Sequence, residues 1–140
     1  MRKILCVAAA AVLAGAPALA DEAWMTQLGR IYWDTSDGAM AVLALEGDGG
    51  SVAARIYVPG LAGDMMGGRG TYHGYWIAAP DGSAGCGAQL SGPDGWKSPL
   101  WGQVTISFVN DAFPSDWAGF YTECFGTDPM SLSGTALVGR

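Results

Sequence analysis

Short apolar bursts, each cut off by glycine, proline, aspartate or serine before helical spacing can be sustained, constrain this chain more than any other feature. TSDGA (35–39), EGDGG (46–50), APDGS (79–83) and GPDGW (92–96) separate such bursts, and the last two place Pro then Asp at the centre of a type I turn with Gly at its end. The pattern predicts an all-β fold with strands over 30–35, 39–46, 51–58, 69–78, 86–91, 101–109, 117–125 and 131–138. AMAVLAL (39–45) has helix-favouring residues, but its bracketing turn signals limit it to strand length. Closing the sheet removes its edges, so a small antiparallel barrel of about eight strands is expected, with a β-sandwich as the alternative.

Residues 1–20 carry Arg2 and Lys3, an alanine-rich apolar run and an Ala18-Leu19-Ala20 end, which is the layout of a secretory signal peptide. Cleavage after Ala20 leaves 21–140 as one β domain, exported to a periplasmic or extracellular space. Losing Arg2 and Lys3 leaves five basic residues against thirteen acidic ones, so the formal charge moves from −6 to −8. That balance argues against nucleic acid and anionic membrane surfaces as partners. Beyond the leader no apolar run is long enough to span a bilayer as a helix, so the mature protein is not expected to be membrane-embedded. Cys86 and Cys124 are expected to pair as a disulfide in an oxidising compartment.

RGTYHGYW (69–76) holds the only histidine. Read as a strand, 69–78 puts Arg69, Thr71, His73, Tyr75 and Ile77 on one face and Gly70, Tyr72, Gly74, Trp76 and Ala78 on the other. The 117–125 strand likewise puts Trp117, Gly119, Tyr121 and Glu123 opposite Ala118, Phe120, Thr122 and Cys124. Two readings follow. The rings lie across glycines of neighbouring strands and serve packing, or Tyr72, Trp76, Trp117 and Tyr121 line a pocket at a barrel mouth with Arg69 and Glu123 as its polar groups.

Catalytic constellations are scarce. A nucleophilic triad has only His73 to draw on, and no G-x-S-x-G elbow occurs. A Cys–His pair fails if Cys86 is oxidised. One histidine and a disulfide leave too few ligands for zinc, the acidic turns lack calcium-loop spacing, and Asp64-Met65-Met66 with His73 is a poor case for copper. No cofactor is expected. Glu123 is the one acid placed inside an expected strand, so a carbohydrate-active enzyme with Glu123 as acid or base is the catalytic alternative.

WMTQLG (24–29), DGA (37–39), WAGFY (117–121) and LSGTALVG (132–139) occur in an order that resembles the streptavidin family, and the resemblance implies an eight-stranded barrel. Arg30 stands where that family places a small hydroxyl residue, and the strand pattern stops before that family's last strand, so the resemblance does not extend to biotin. The expected function is an exported, non-catalytic binding protein for a small ligand or a partner protein, using its aromatic residues and the glycine-rich loop 59–68. An accessory subunit of an envelope complex is a further alternative.

Overall fold

The structure, a computed structural model, describes residues 22–63, 70–110 and 114–137. The expected leader, Arg69, the Asp64-Met65-Met66 stretch and the second half of the glycine-rich loop lie outside the described residues. Eight antiparallel strands close into a barrel: β1 (Ala23–Thr26), β2 (Gly29–Asp37), β3 (Met40–Glu46), β4 (Val52–Val58), β5 (Gly70–Ala78), β8 (Trp101–Phe108), β9 (Trp117–Glu123) and β10 (Met130–Ala136). Their order around the wall is β1-β10-β9-β8-β5-β4-β3-β2, and β1 meets β10 with Trp24 opposite Ala136. The connection from β5 to β8 carries a separate small hairpin, β6 (Leu90–Ser91) with β7 (Lys97–Ser98).

Seven of the expected spans correspond to β2, β3, β4, β5, β8, β9 and β10; the eighth does not. Within 86–91 only Leu90 and Ser91 pair, because Gly85 and Gly87 adopt left-handed φ of 52° and 81° and break the run on either side of Cys86. The missing barrel strand is β1, four residues long, whose Trp24 is fully buried. Its pairing to β10 completes the closure without any later strand.

The interior has two different ends. At the end bearing the β8–β9 turn, Trp24, Tyr72, Phe108 and Trp117 fill the barrel, with the Phe108 ring 6.1 Å from Trp24 and 6.0 Å from Tyr72. The Trp24 indole N–H donates to the Ser115 carbonyl at 2.9 Å, which satisfies the one polar atom such a ring buries. Ring-over-glycine packing makes the room. Trp117 pairs with Gly134 and Trp76 with Gly102, and a Cβ on either glycine would run into the facing indole.

Outside the barrel, residues 79–100 fold as a flap over the outer faces of β3, β4, β5 and β8, where Val42, Tyr57, Ile77 and Trp101 form a second apolar cluster. Gly92 sits so close to the Tyr57 ring that no side chain fits there. GPDGW makes the expected turn, the Gly95 N–H donating to the Gly92 carbonyl at 3.1 Å. Its aspartate does more than turn the chain: Asp94 accepts the Tyr57 hydroxyl at 2.8 Å and the Arg55 guanidinium at 3.1 Å. Arg55 also reaches Asp34 at 3.0 Å and lies over the Trp96 ring. The Cys86–Cys124 disulfide, with sulfurs 2.01 Å apart, ties the flap to the end of β9. Among the described residues no helix is long and apolar enough to cross a membrane.

Candidate functional site

Strand alternation sends Trp76 from β5 and Tyr121 from β9 into the barrel, and both reach the wall of a cavity of about 170 Å3 at the end opposite the ring-filled one. The cavity arises because the inward positions at this level are small. Ala54 on β4 stands opposite Ala78 on β5, where the other end carries tryptophan and phenylalanine. The remaining wall is aliphatic: Ile31 on β2 beside Leu45 on β3, then Ile56, Val104 and Leu132 from β4, β8 and β10. Leu28, in the turn between β1 and β2, borders the mouth and is about half exposed.

The two rings hold one another. Trp76 meets Tyr121 edge to face with centroids 6.5 Å apart, and the Trp76 indole N–H donates to the Thr122 carbonyl at 3.1 Å. The indole donor is thereby spent on the wall and offers nothing to the cavity. A ligand would meet carbon almost everywhere, and among the described residues no Asp, Glu, His, Lys or Arg lines the space. An ion would lose its hydration here without a partner, so the chemistry suits a neutral, apolar guest.

The other expected site residues fall elsewhere. Tyr72 and Trp117 share the inward face with Trp76 and Tyr121 but are packed into the filled end, so they do not border the cavity. Glu123 is exposed on the rim and borders a separate shallow hollow with Thr127 and Asp128. Arg69 lies outside the described residues. His73 points outward, exposed, and shares a 3.0 Å hydrogen bond between Nδ1 and the Thr105 hydroxyl. Cys86 is bonded to Cys124 and presents no thiolate. Among the described residues no group of three or more His, Cys, Asp or Glu is placed to hold a metal.

Five wall residues, Ile31, Leu45, Ile56, Val104 and Leu132, were not singled out by the sequence. Each occupies an inward position of its own strand, and alternation marks it as core. The signal that separates them from ordinary core is the small pair Ala54 and Ala78 facing one another at the same level. Comparison with protein-family models, with curated proteins and with solved structures finds no match to this chain.

Proposed function

We propose that this is an exported, non-catalytic β-barrel protein that binds a small neutral apolar molecule in the mouth cavity. The observation that carries the reading is the open-mouthed space of about 170 Å3 lined by Leu, Ile, Val, Ala, Trp and Tyr carbon. An apolar cavity of about 150 Å3 in a protein core stays dry and takes up benzene, so the natural ligand is of single-ring or short-chain size. General acid–base chemistry needs a titratable group within hydrogen-bond reach of the reacting atoms, and the wall supplies only the Tyr121 phenol.

Export is supported by the leader-like residues 1–20 and by a disulfide, which persists in oxidising compartments. The outward faces of β5, β8 and β10 carry Thr71, His73, Gln103, Thr105, Ser131 and Ser133, and apolar residues face in. A membrane-spanning barrel has the reverse arrangement, so this one belongs in water.

The test is intrinsic tryptophan fluorescence as toluene and short-chain alcohols are added, with Ala54→Phe filling the cavity. Saturable quenching or enhancement in the native protein that disappears in a folded Ala54→Phe variant supports the reading. No response in the native protein, or an equal response in both, overturns it. Mass spectrometry of secreted material should show a chain beginning at Asp21, and an intact Met1 would overturn export by cleavage.

A further inference from the structure

A second concavity lies on the outside of the wall, independent of the mouth, where the flap ends against β5 and β8. It has a volume of about 420 Å3 and is bordered by Phe125, Trp101, Tyr75, Leu90, His73 and Gln103. We propose that this outer groove binds a neutral oligosaccharide.

Phe125 is the first reason. Its ring is 77% exposed, the most exposed of the large apolar side chains described, and it stands edge-on to Trp101 with centroids 4.9 Å apart. Leaving a phenylalanine in water forgoes the stabilisation that burial would provide. The backbone holds it there. Cys124 is the one non-glycine residue described with a left-handed φ, 53°, and it is fixed by the disulfide and by its N–H donating to the Trp101 carbonyl at 2.8 Å. A strained residue clamped from two sides and presenting an unburied ring is the arrangement of a stacking platform.

Charge is the second reason. The chain is strongly acidic, yet among the described residues no Asp, Glu, Lys or Arg borders this groove. The polar groups are the Gln103 amide and the His73 imidazole, and the same outward face continues into Thr105 and the Thr71–Ser107 hydroxyl pair at 2.7 Å. Amides and hydroxyls both donate and accept, as sugar hydroxyls do, and a pyranose offers an apolar C–H face to a ring. An acidic glycan or peptide would find no cation among the described residues of this groove and would meet the repulsion of the net negative protein. A second copy of this chain is the competing occupant.

The test is isothermal titration calorimetry of the full exported protein with cellohexaose, maltohexaose and chitohexaose at low and high salt, beside sedimentation analysis. The expected result is binding to at least one of them that salt leaves unchanged. Phe125→Ala should weaken it about tenfold or more, Gln103→Ala should weaken it severalfold, and Ala54→Phe in the mouth should not alter it. Both groove substitutions are at exposed positions, and a thermal melt confirms that each variant is folded. The proposal is overturned if none of the three sugars binds, if binding survives both groove substitutions, or if Phe125→Ala acts only by dissociating a dimer.

Discussion

Trp76 reaches Tyr121 across the intervening strand β8, the ring planes at 79° and the indole N–H fixed on the Thr122 carbonyl, so the mouth wall is built before any ligand arrives. Trp76→Phe should lose that hydrogen bond and part of the packing at a cost of about 1–3 kcal/mol. Trp76→Ala, which removes the wall, should cost about 3–5 kcal/mol. Urea unfolding midpoints check both, and equal losses would mean that the ring itself bears no load.

Gly102 and Gly134 lie under indoles, and Gly102 also backs onto the Thr122 carbonyl. Alanine at either position should destabilise the barrel by roughly 1–3 kcal/mol through overpacking. Gly49 and Gly95 have open space around them but left-handed φ of 66° and 83°, so alanine there acts through backbone strain alone. Thermal melts of the four variants distinguish the cases: new near-ultraviolet circular dichroism is expected only for the two barrel positions.

Burial first, and then the Asp94 hydrogen bond, hold the Tyr57 hydroxyl well above its usual value of 10.0. Burial first, and then the Asp94 charge, push Tyr75 the same way. In an unfolded chain both ionise near 10, so in alkali the folded state retains protons that the unfolded state has lost. The stability from these groups is complete below pH about 10 and is lost as pH rises toward their folded values. Ultraviolet titration of the folded protein should find Tyr57 and Tyr75 still protonated at pH values where tyrosines of the unfolded chain ionise, and the unfolding midpoint should fall steadily above pH about 10. Tyr57→Phe should flatten that fall. Five tyrosines titrating together in folded protein would contradict the buried Tyr57–Asp94 contact.

The disulfide closes a separation of 38 residues. Chain entropy alone makes it worth about 4 kcal/mol, and it also pins the flap over Tyr57, Ile77 and Trp101. Cys86→Ser with Cys124→Ser should lower stability by about that amount and speed hydrogen exchange of the flap ahead of the barrel strands. Uniform exchange across flap and barrel would show that Arg55, Tyr57 and Asp94 hold the flap without the sulfur link.

Period-two alternation with turn chemistry is enough to read the all-β barrel from sequence, and the disulfide follows from Cys86 and Cys124 being the two cysteines beyond the leader. Trp76 and Tyr121 were legible as inward rings through the same alternation. Two features were not. β1 is four residues long beside two acids and gives no period to detect, whereas 86–91 has an apolar burst that Gly85 and Gly87 turn into loop. The aliphatic wall escaped notice because Ile31, Leu45, Val104 and Leu132 come from four strands and become neighbours of one space only on closure. Asp94 was read as a turn former, and its hold on Tyr57 and Arg55 depends on where the flap lands.

The most direct measurement of mouth binding is a methyl carbon–proton correlation spectrum of the purified protein as toluene is added. Saturable shifts confined to methyls that border the cavity, those of Ile31, Leu45, Ile56, Val104 and Leu132 among them, with the methyls of the ring-filled end and of the flap unmoved, are the expected result. Unshifted cavity methyls at toluene saturation, or shifts spread evenly over the barrel, would contradict a ligand site in the mouth.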